Sequence, residues 1–94
     1  MNTTQKVALV TEVQRAERYA QARVLAQQGT HVVVAARDWA KAVDAALRLQ
    51  LEGLSAEALH LESSNVAGLE VARQKVVRRH GHLDLVIDEA ALTS

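Results

Sequence analysis

Residues 6–19 read KVALVTEVQRAERY, and this stretch decides the fold. Its first part, Val7–Val10, is an apolar run that is too short for a helix and typical of a buried strand. Its second part opens a longer, alanine-rich stretch in which apolar and polar residues alternate at helical spacing. The segment therefore predicts a buried strand that leads through a short turn into a helix.

The same unit of strand and helix recurs along the whole chain. Three further short apolar runs predict strands at His31–Ala35, Ala58–Leu61 and Leu85–Ile87. Amphipathic stretches predict three helices, near residues 12–28, 39–52 and 65–80. Apolar strands that alternate with helices favour a parallel sheet with helices on both faces and right-handed crossovers. We expect one domain over residues 1–94, with a three-layer α/β/α architecture.

Local signals support these helix boundaries. Three glycines fall just past the helical stretches, where a left-handed cap suits a residue without Cβ: Gly29, Gly53 and Gly81. Asp38, and Ser64 or Asn65, stand where the second and third helices need N-caps. For the first helix, Thr11 and Gln14 predict a capping box. A buried stripe is expected at Val13, Ala16, Ala20 and Val24.

Composition excludes several classes of function. The chain has no cysteine, so disulfides, thiolate nucleophiles and cysteine metal sites are ruled out, and a cytoplasmic setting fits best. Its 11 basic and 11 acidic residues balance, and no basic run with interleaved aromatic residues predicts a nucleic-acid partner. No apolar stretch approaches the roughly 20 residues that span a bilayer, and the N-terminus lacks a signal-peptide pattern. We expect neither nucleic acid nor membrane as a partner.

Three segments resemble the short-chain dehydrogenase/reductase family, and especially its monomeric carbonyl-reductase branch. They are KVALVT at 6–11, HVVVAARD at 31–38 and HLDLVIDEAALTS at 82–94, and LQLEGLSAEALHLESS at 49–64 is similar to the family's approach to its third strand. The resemblance covers almost the whole chain and implies a Rossmann-like fold with a four-stranded parallel sheet in the order 3-2-1-4. The family follows its first strand with TGxxxGxG, whereas this chain has Glu12, Ala16 and Arg18 at the three glycine positions.

Those replacements predict the loss of dinucleotide binding. The glycines allow a tight turn, a close approach of the backbone to a pyrophosphate and close packing of helix on sheet. Glu12 and Glu17 also put carboxylates at the helix N-terminus, where phosphate would otherwise be received. Tyr19 is expected to fill space near the vacated cleft. We therefore expect no cofactor.

Catalysis is also not expected. The family uses a serine and a Tyr-x-x-x-Lys pair, whereas the single tyrosine of this chain, Tyr19, is followed four residues later by Arg23. The leading interpretation is a non-catalytic Rossmann-like half domain, engineered or degenerate, and not an enzyme.

An alternative interpretation retains part of the cofactor site. Arg15, Arg37 and Lys41 match positions where phosphate-preferring members of the family gather positive charge around the 2′-phosphate of NADP, and Glu62 matches an aspartate that contacts adenine. Surface solvation is the simpler fate of these side chains. If the pocket is retained, the chain is a fragment of an NADP-dependent reductase with weak residual adenine-nucleotide binding.

A second alternative is a module that binds cations. Glu12, Glu62, Asp88 and Glu89 follow strands and are expected at the carboxyl edge of the sheet, where a hard divalent ion could enter. Pairing with arginines is the simpler expectation. His80 and His82 bracket Gly81, but two histidines without a third ligand are a weak metal signal, so capping or exposure is favoured. The sequence thus predicts no metal site.

Self-association is the remaining expectation. The last predicted strand, Leu85–Ile87, is interior in the relatives but is left here with an unpaired edge, and exposed edges recruit partners. Apolar surface around Leu85, Ile87 and Leu92 would be left partly bare. We predict a homodimer or domain-swapped oligomer that forms through Leu85, Val86 and Ile87.

Overall fold

In a computed structural model, which describes residues 5–88, four strands and three helices alternate along the chain. The strands are β1 (Val7–Val10), β2 (His31–Ala36), β3 (Ala56–His60) and β4 (Leu85–Ile87). The helices are α1 (Ala16–Gln27), α2 (Trp39–Leu51) and α3 (Val66–His80). All three strand pairings are parallel and the sheet order is β3-β2-β1-β4. The predicted Rossmann-like α/β fold and its order 3-2-1-4 are confirmed.

Alternate residues of the central strands supply two apolar clusters, one on each face of the sheet. Val10 and Val34 pack in the cluster that includes α1 and α2 residues. Leu9 and Val33 pack on the opposite face with Ala72 and Val76 of α3. Both faces are therefore covered, which explains why β1 and β2 are almost continuously apolar. Within residues 5–88, no helix is both long enough and apolar enough to span a bilayer.

The predicted caps of the later helices are correct. The Asp38 carboxylate accepts a hydrogen bond from the Ala40 N–H at 3.0 Å, and the Asn65 side chain accepts one from the Gly68 N–H at 2.9 Å. Gly81 closes α3 in the left-handed conformation, with a φ of 85°. These short-range signals place the ends of α2 and α3 because each depends on a few adjacent residues.

The beginning of α1 differs from the prediction. The helix starts at Ala16, four residues later than expected, and the side chain of its N-cap residue, Arg15, makes no capping hydrogen bond. The Thr11 hydroxyl instead donates to the Asp88 carboxylate, and the Gln14 amide donates to Glu12. The capping box was wrong because Thr11 is buried beneath the turn and does not flank the helix.

The prediction of which face of α1 is buried was also wrong. Val13 is buried, but it lies in the turn, and Val24 is 51% exposed. The buried helical residues are Arg18, Ala22 and Ala26, which follow one another at four-residue spacing. The helix is therefore rotated from the expected stripe. A smaller difference concerns β3, which begins at Ala56 and ends at His60, whereas Ala58–Leu61 was expected.

Candidate functional site

The turn between β1 and α1 contains a residue in the left-handed backbone conformation that glycine adopts readily. Glu12, at the first glycine position of the resemblance, has a φ of 54° and is the one non-glycine residue with positive φ among residues 5–88. The turn is held to its neighbours by the Val13 N–H, which donates to the Ala35 carbonyl at 3.1 Å. A side chain in this conformation costs about 1–2 kcal/mol. Glu12 thus has a backbone conformation that glycine adopts readily.

The Glu12 carboxylate is tied down by its surroundings. Its two oxygens accept hydrogen bonds from the Gln14 amide at 2.8 Å and from the Ser64 hydroxyl at 2.9 Å. Partial burial raises the pKa of Glu12, but these two hydrogen bonds and the charges of Arg37 and Arg15 outweigh burial and lower the pKa overall. Glu12 therefore carries a negative charge at neutral pH, close to two of the arginines assigned to a phosphate.

A buried arginine occupies the third glycine position. Arg18 is only 4% exposed, and its guanidinium donates to the Thr11 carbonyl at 3.0 Å and to the Thr11 hydroxyl at 3.2 Å. The Thr11 hydroxyl in turn donates to the buried Asp88 carboxylate. A polar chain thus joins α1, the end of β1 and the residue after β4. Arg18 therefore brings a positive charge to the carboxyl edge of the sheet, where the sequence predicted a group of carboxylates.

An open cavity of about 580 Å³ lies between the start of α1 and α2. Tyr19 lines it and also packs on the apolar cluster, which fits the expected space-filling role. Lys41 and Arg48 bring positive charge to its wall, while Asp44 pairs with Arg48 at 3.0 Å. The cavity therefore combines a partly apolar wall with exposed cations.

The predicted cofactor residues separate into two groups. Arg15 and Arg37 both act on the Glu12 carboxylate, and Lys41 lines the cavity beside α1. Glu62, by contrast, is exposed and pairs with Lys75 of α3 at 3.9 Å. Arg15 and Arg37 are therefore associated with the turn, Lys41 with the cavity, and Glu62 with another helix.

The acidic residues predicted for the crevice do not converge. Glu12 binds Gln14 and Ser64, and Asp88 is buried against Thr11. Within residues 5–88, no group of three or more such ligands forms from these acids. Glu89 lies outside the described residues.

The histidines show a contact that the sequence did not predict. His80 was interpreted together with His82, but His82 pairs with Asp84 at 2.8 Å. His80 instead meets Glu57 of β3 and His31 of β2. The signal that could have found this group is strand parity, since His31 and Val33 share a face and Val33 is the register partner of Glu57.

Comparisons with known proteins agree with this geometry. No family model matches the chain. Dehydrogenase/reductase SDR family member 4 of Homo sapiens is 37% identical over 87 residues, which are 93% of this chain and 31% of that protein. Carbonyl reductase [NADPH] 1 of Mus musculus is 31% identical over 93 residues, which are 98% of this chain and 34% of that protein.

Solved structures give the same result. An actinorhodin polyketide ketoreductase with NADPH superimposes with a TM-score of 0.81 at 28% identity, covering 95% of this chain and 34% of that one. A metagenomic short-chain oxidoreductase in complex with NADP superimposes with a TM-score of 0.77 at 28% identity. The match covers 89% of this chain and 39% of that protein. The fold and the positive φ of Glu12 in its first turn thus define a Rossmann-like domain. The chain is related to the short-chain dehydrogenase/reductase family and spans about a third of the length of these relatives.

Two expectations are corrected by these comparisons. The relatives are reductases, which contradicts the prediction that the chain is not an enzyme. Two relatives are named for NADPH and two structural neighbours contain NADP or NADPH, which contradicts the prediction of no cofactor. The sequence prediction assumed that the turn closes when its glycines are absent. Glu12 instead adopts a positive φ, the backbone conformation that glycine favours.

Proposed function

We propose that this chain is the nucleotide-binding part of an NADP-dependent reductase and that it holds the adenosine 2′-phosphate end of the cofactor. The observation that carries the proposal is that the charges of Arg15 and Arg37 act on Glu12 in the turn after β1, while Lys41 lines the cavity between α1 and α2. The relatives that are named for NADPH or solved with NADP support it. The whole reductase activity belongs to the same proposal.

Each cation has a separate part in holding the phosphate. Arg37 follows directly on β2, so its guanidinium starts from the carboxyl edge of the sheet, where ligands of such folds bind. Arg15 is the last residue before α1, lies 3.8 Å from the Glu17 carboxylate, and its charge acts on Glu12. Guanidinium groups offer paired donors that match phosphate oxygens, and the Lys41 ammonium adds a mobile charge.

The pyrophosphate half of the site is weaker. The uncapped start of α1 and the positive φ of Glu12 keep the backbone arrangement in which helix N–H groups receive phosphate. The negative charge of the Glu12 carboxylate repels that phosphate. The same carboxylate already interacts with the positive charges of Arg15 and Arg37. Binding should therefore be weak and should depend on the 2′-phosphate. When bound, the cofactor supplies hydride transfer, and the residues of this chain bind and orient its adenosine end.

Titration with NADPH, NADH and adenosine 2′,5′-bisphosphate tests the proposal. We expect saturable binding of NADPH and of the bisphosphate with dissociation constants near about 1 mM or below, and weaker binding of NADH. Arg37→Leu should remove the preference for the 2′-phosphate. Arg23→Leu is the matched control, because Arg23 is an exposed α1 residue that pairs with Glu52 away from the cavity. Equal affinity for NADPH and NADH, or no saturable binding, would contradict the proposal.

A further inference from the structure

Two histidines and a glutamate meet on the sheet face that α3 covers. The Nε2 atoms of His31 and His80 each lie 2.7 Å from the same oxygen, Oε1 of Glu57. One ligand atom from each of the three residues lies within 4.8 Å of the other two. The two rings are 4.8 Å apart between centroids. Three separate elements, β2, β3 and α3, therefore direct one donor atom each toward a common point.

This cluster is distinct from the proposed nucleotide site. His31 opens β2, whereas Arg37 follows its other end, and six strand residues span about 20 Å. His80 ends α3, on the face opposite α1 and α2. The cluster therefore lies toward the amino ends of the strands, and a nucleotide at the carboxyl ends would not reach it.

We propose that His31, Glu57 and His80 form a binding site for a divalent transition-metal ion, with Zn²⁺ as the best-suited occupant. Two imidazole nitrogens and one carboxylate oxygen are a donor set of three-ligand zinc sites, in which water takes the fourth position. Ca²⁺ and Mg²⁺ prefer oxygen ligands, so the two nitrogens select against them. The side chains of His31, Glu57 and His80 remain 15%, 25% and 26% exposed, which leaves an ion a path from solvent.

A hydrogen bond behind His31 fits a ligand role. Its Nδ1 lies 2.6 Å from the Ser55 hydroxyl oxygen. When a metal takes the lone pair of Nε2, the ring proton resides on Nδ1 and can be donated to that hydroxyl. Such outer partners fix the orientation and tautomer of a ligating imidazole. Ser55 is thus a positioning residue for the site.

The glutamate is also oriented from outside the cluster. Nη1 of Arg79 contacts Oε2 of Glu57 at 2.5 Å, which leaves Oε1 directed at the two imidazoles. Arg79 therefore holds the carboxylate in place, and its positive charge moderates the affinity for a cation. The ion exchanges the two contacts between Nε2 and Oε1 for metal bonds of about 2.0–2.2 Å, which small side-chain rotations permit.

Calorimetric titration of the full chain with ZnCl₂ tests the site. We expect one ion per chain, with the dissociation constant raised about a hundredfold or more in His31→Gln, His80→Gln and Glu57→Gln. Ser55→Ala, which removes only the outer partner, should raise it about tenfold to a hundredfold. Glutamine at position 31 or 80 can still donate to Glu57, so these two variants retain a hydrogen bond in place of the imidazole.

His60→Gln and His82→Gln are the matched controls, because these histidines contact the Arg37 carbonyl and Asp84 and lie outside the cluster. Both should bind zinc like the unmodified chain. Imidazole nitrogen NMR of the unmodified chain gives a readout that does not depend on any variant, with zinc shifting the Nε2 resonances of His31 and His80. The proposal is overturned if zinc does not saturate below about 1 mM, if the controls lose binding, or if other resonances shift.

Discussion

Glu12 shows how a single residue can replace a glycine without changing the backbone. Its left-handed conformation is retained at a cost of about 1–2 kcal/mol. Hydrogen bonds from Gln14 and Ser64, and the nearby charges of Arg15 and Arg37, offset part of that cost. The substitution therefore adds a side-chain network at the expense of phosphate binding.

Glu12→Gly should separate these two effects. Because glycine adopts positive φ without strain, we expect the free energy of unfolding to rise by up to about 1 kcal/mol, as measured by urea denaturation. Binding of adenosine 2′,5′-bisphosphate should also tighten, because the opposing carboxylate is gone. Glu12→Gln is the control, since it removes the charge but keeps the strained backbone. It should tighten nucleotide binding without the gain in stability, and an equal gain in both variants would contradict the strain argument.

The Glu57 carboxylate predicts a dependence of stability on pH. Burial raises the pKa of Glu57, but hydrogen bonds from His31, Arg79 and His80, together with the charge of His80, outweigh burial and lower it overall. A lowered pKa in the folded state stabilises the protein above about pH 4.3, where an unperturbed glutamate titrates. This contribution is lost as the pH falls through the pKa of the folded state.

Urea denaturation from pH 7 to pH 3 measures this contribution in the metal-free protein. The unmodified chain should be more stable than Glu57→Gln at pH 7, and the difference should shrink as the pH falls below about 4.3. Glu70→Gln is the control, because Glu70 is an exposed α3 residue whose contacts, to Arg73 at 3.8 Å and to the Gln74 amide at 3.3 Å, are long. A difference that persists unchanged at pH 3 would count against a depressed pKa of Glu57.

At the scale of elements, α1 is where the structure departs most from the sequence prediction. Its apolar residues Val13, Ala16, Ala20 and Val24 suggested one buried stripe, whereas Arg18, Ala22 and Ala26 face the sheet. Periodicity places charged residues outside by default. A buried arginine becomes acceptable only because Thr11 offers a carbonyl and a hydroxyl at the right distance, and that arrangement depends on tertiary structure.

Arg18→Met tests the contribution of that buried cation. Methionine fills similar space but cannot donate to Thr11, so the free energy of unfolding should fall by about 2 kcal/mol, the typical scale for hydrogen bonds to charged groups. The measurement is chemical denaturation at neutral pH. Arg23→Met on the same helix is the control and should change stability by less than about 0.5 kcal/mol, because the ion pair of Arg23 with Glu52 is exposed. Equal effects of the two substitutions would show that Arg18 carries no special role.

Features that depend on adjacent residues were predictable, and features that depend on distant contacts were not. The caps at Asp38 and Asn65 and the left-handed Gly81 follow from short-range patterns, whereas the sheet order was implied by the family resemblance. The cluster of His31, Glu57 and His80 joins three elements, and strand parity indicates only which face of the sheet His31 and Glu57 share, not their contact with His80. The late start of α1 escaped prediction for a similar reason, since it depends on the bond from Val13 to Ala35 of the neighbouring strand.

At the scale of the whole molecule, the sheet separates two sets of charged groups. Arg15 and Arg37 act on Glu12 in the turn that follows β1, and Lys41 lines the cavity between α1 and α2. His31 and Glu57 lie near the amino ends, beneath the last residue of α3. The rigid central strands keep the two sets apart. A nucleotide at the carboxyl ends of the strands should therefore not contact an ion bound by the histidine cluster. Each ligand should affect binding of the other only by stabilising the folded domain.

The edge of the sheet at β4 leads to the last prediction, that the chain forms a homodimer. Among residues 5–88, β4 pairs only with β1, and Leu85 is 42% exposed on this edge. An apolar groove lined by Ala20, Val24, Leu25 and Ile87 adjoins it. An unpaired strand edge beside apolar surface favours pairing with a second copy.

Light scattering of the purified chain at about 100 µM, within the concentration range of weak association, should give the mass of a dimer. Leu85→Lys should shift that mass toward the monomer, because a charged residue on an edge strand opposes pairing between sheets. Leu51→Lys is the matched control: Leu51 is 86% exposed at the end of α2, far along the chain from β4, and the lysine there should leave the dimer intact. A monomeric mass for the unmodified chain, or equal dissociation by both lysines, would mean that the β4 edge does not mediate association.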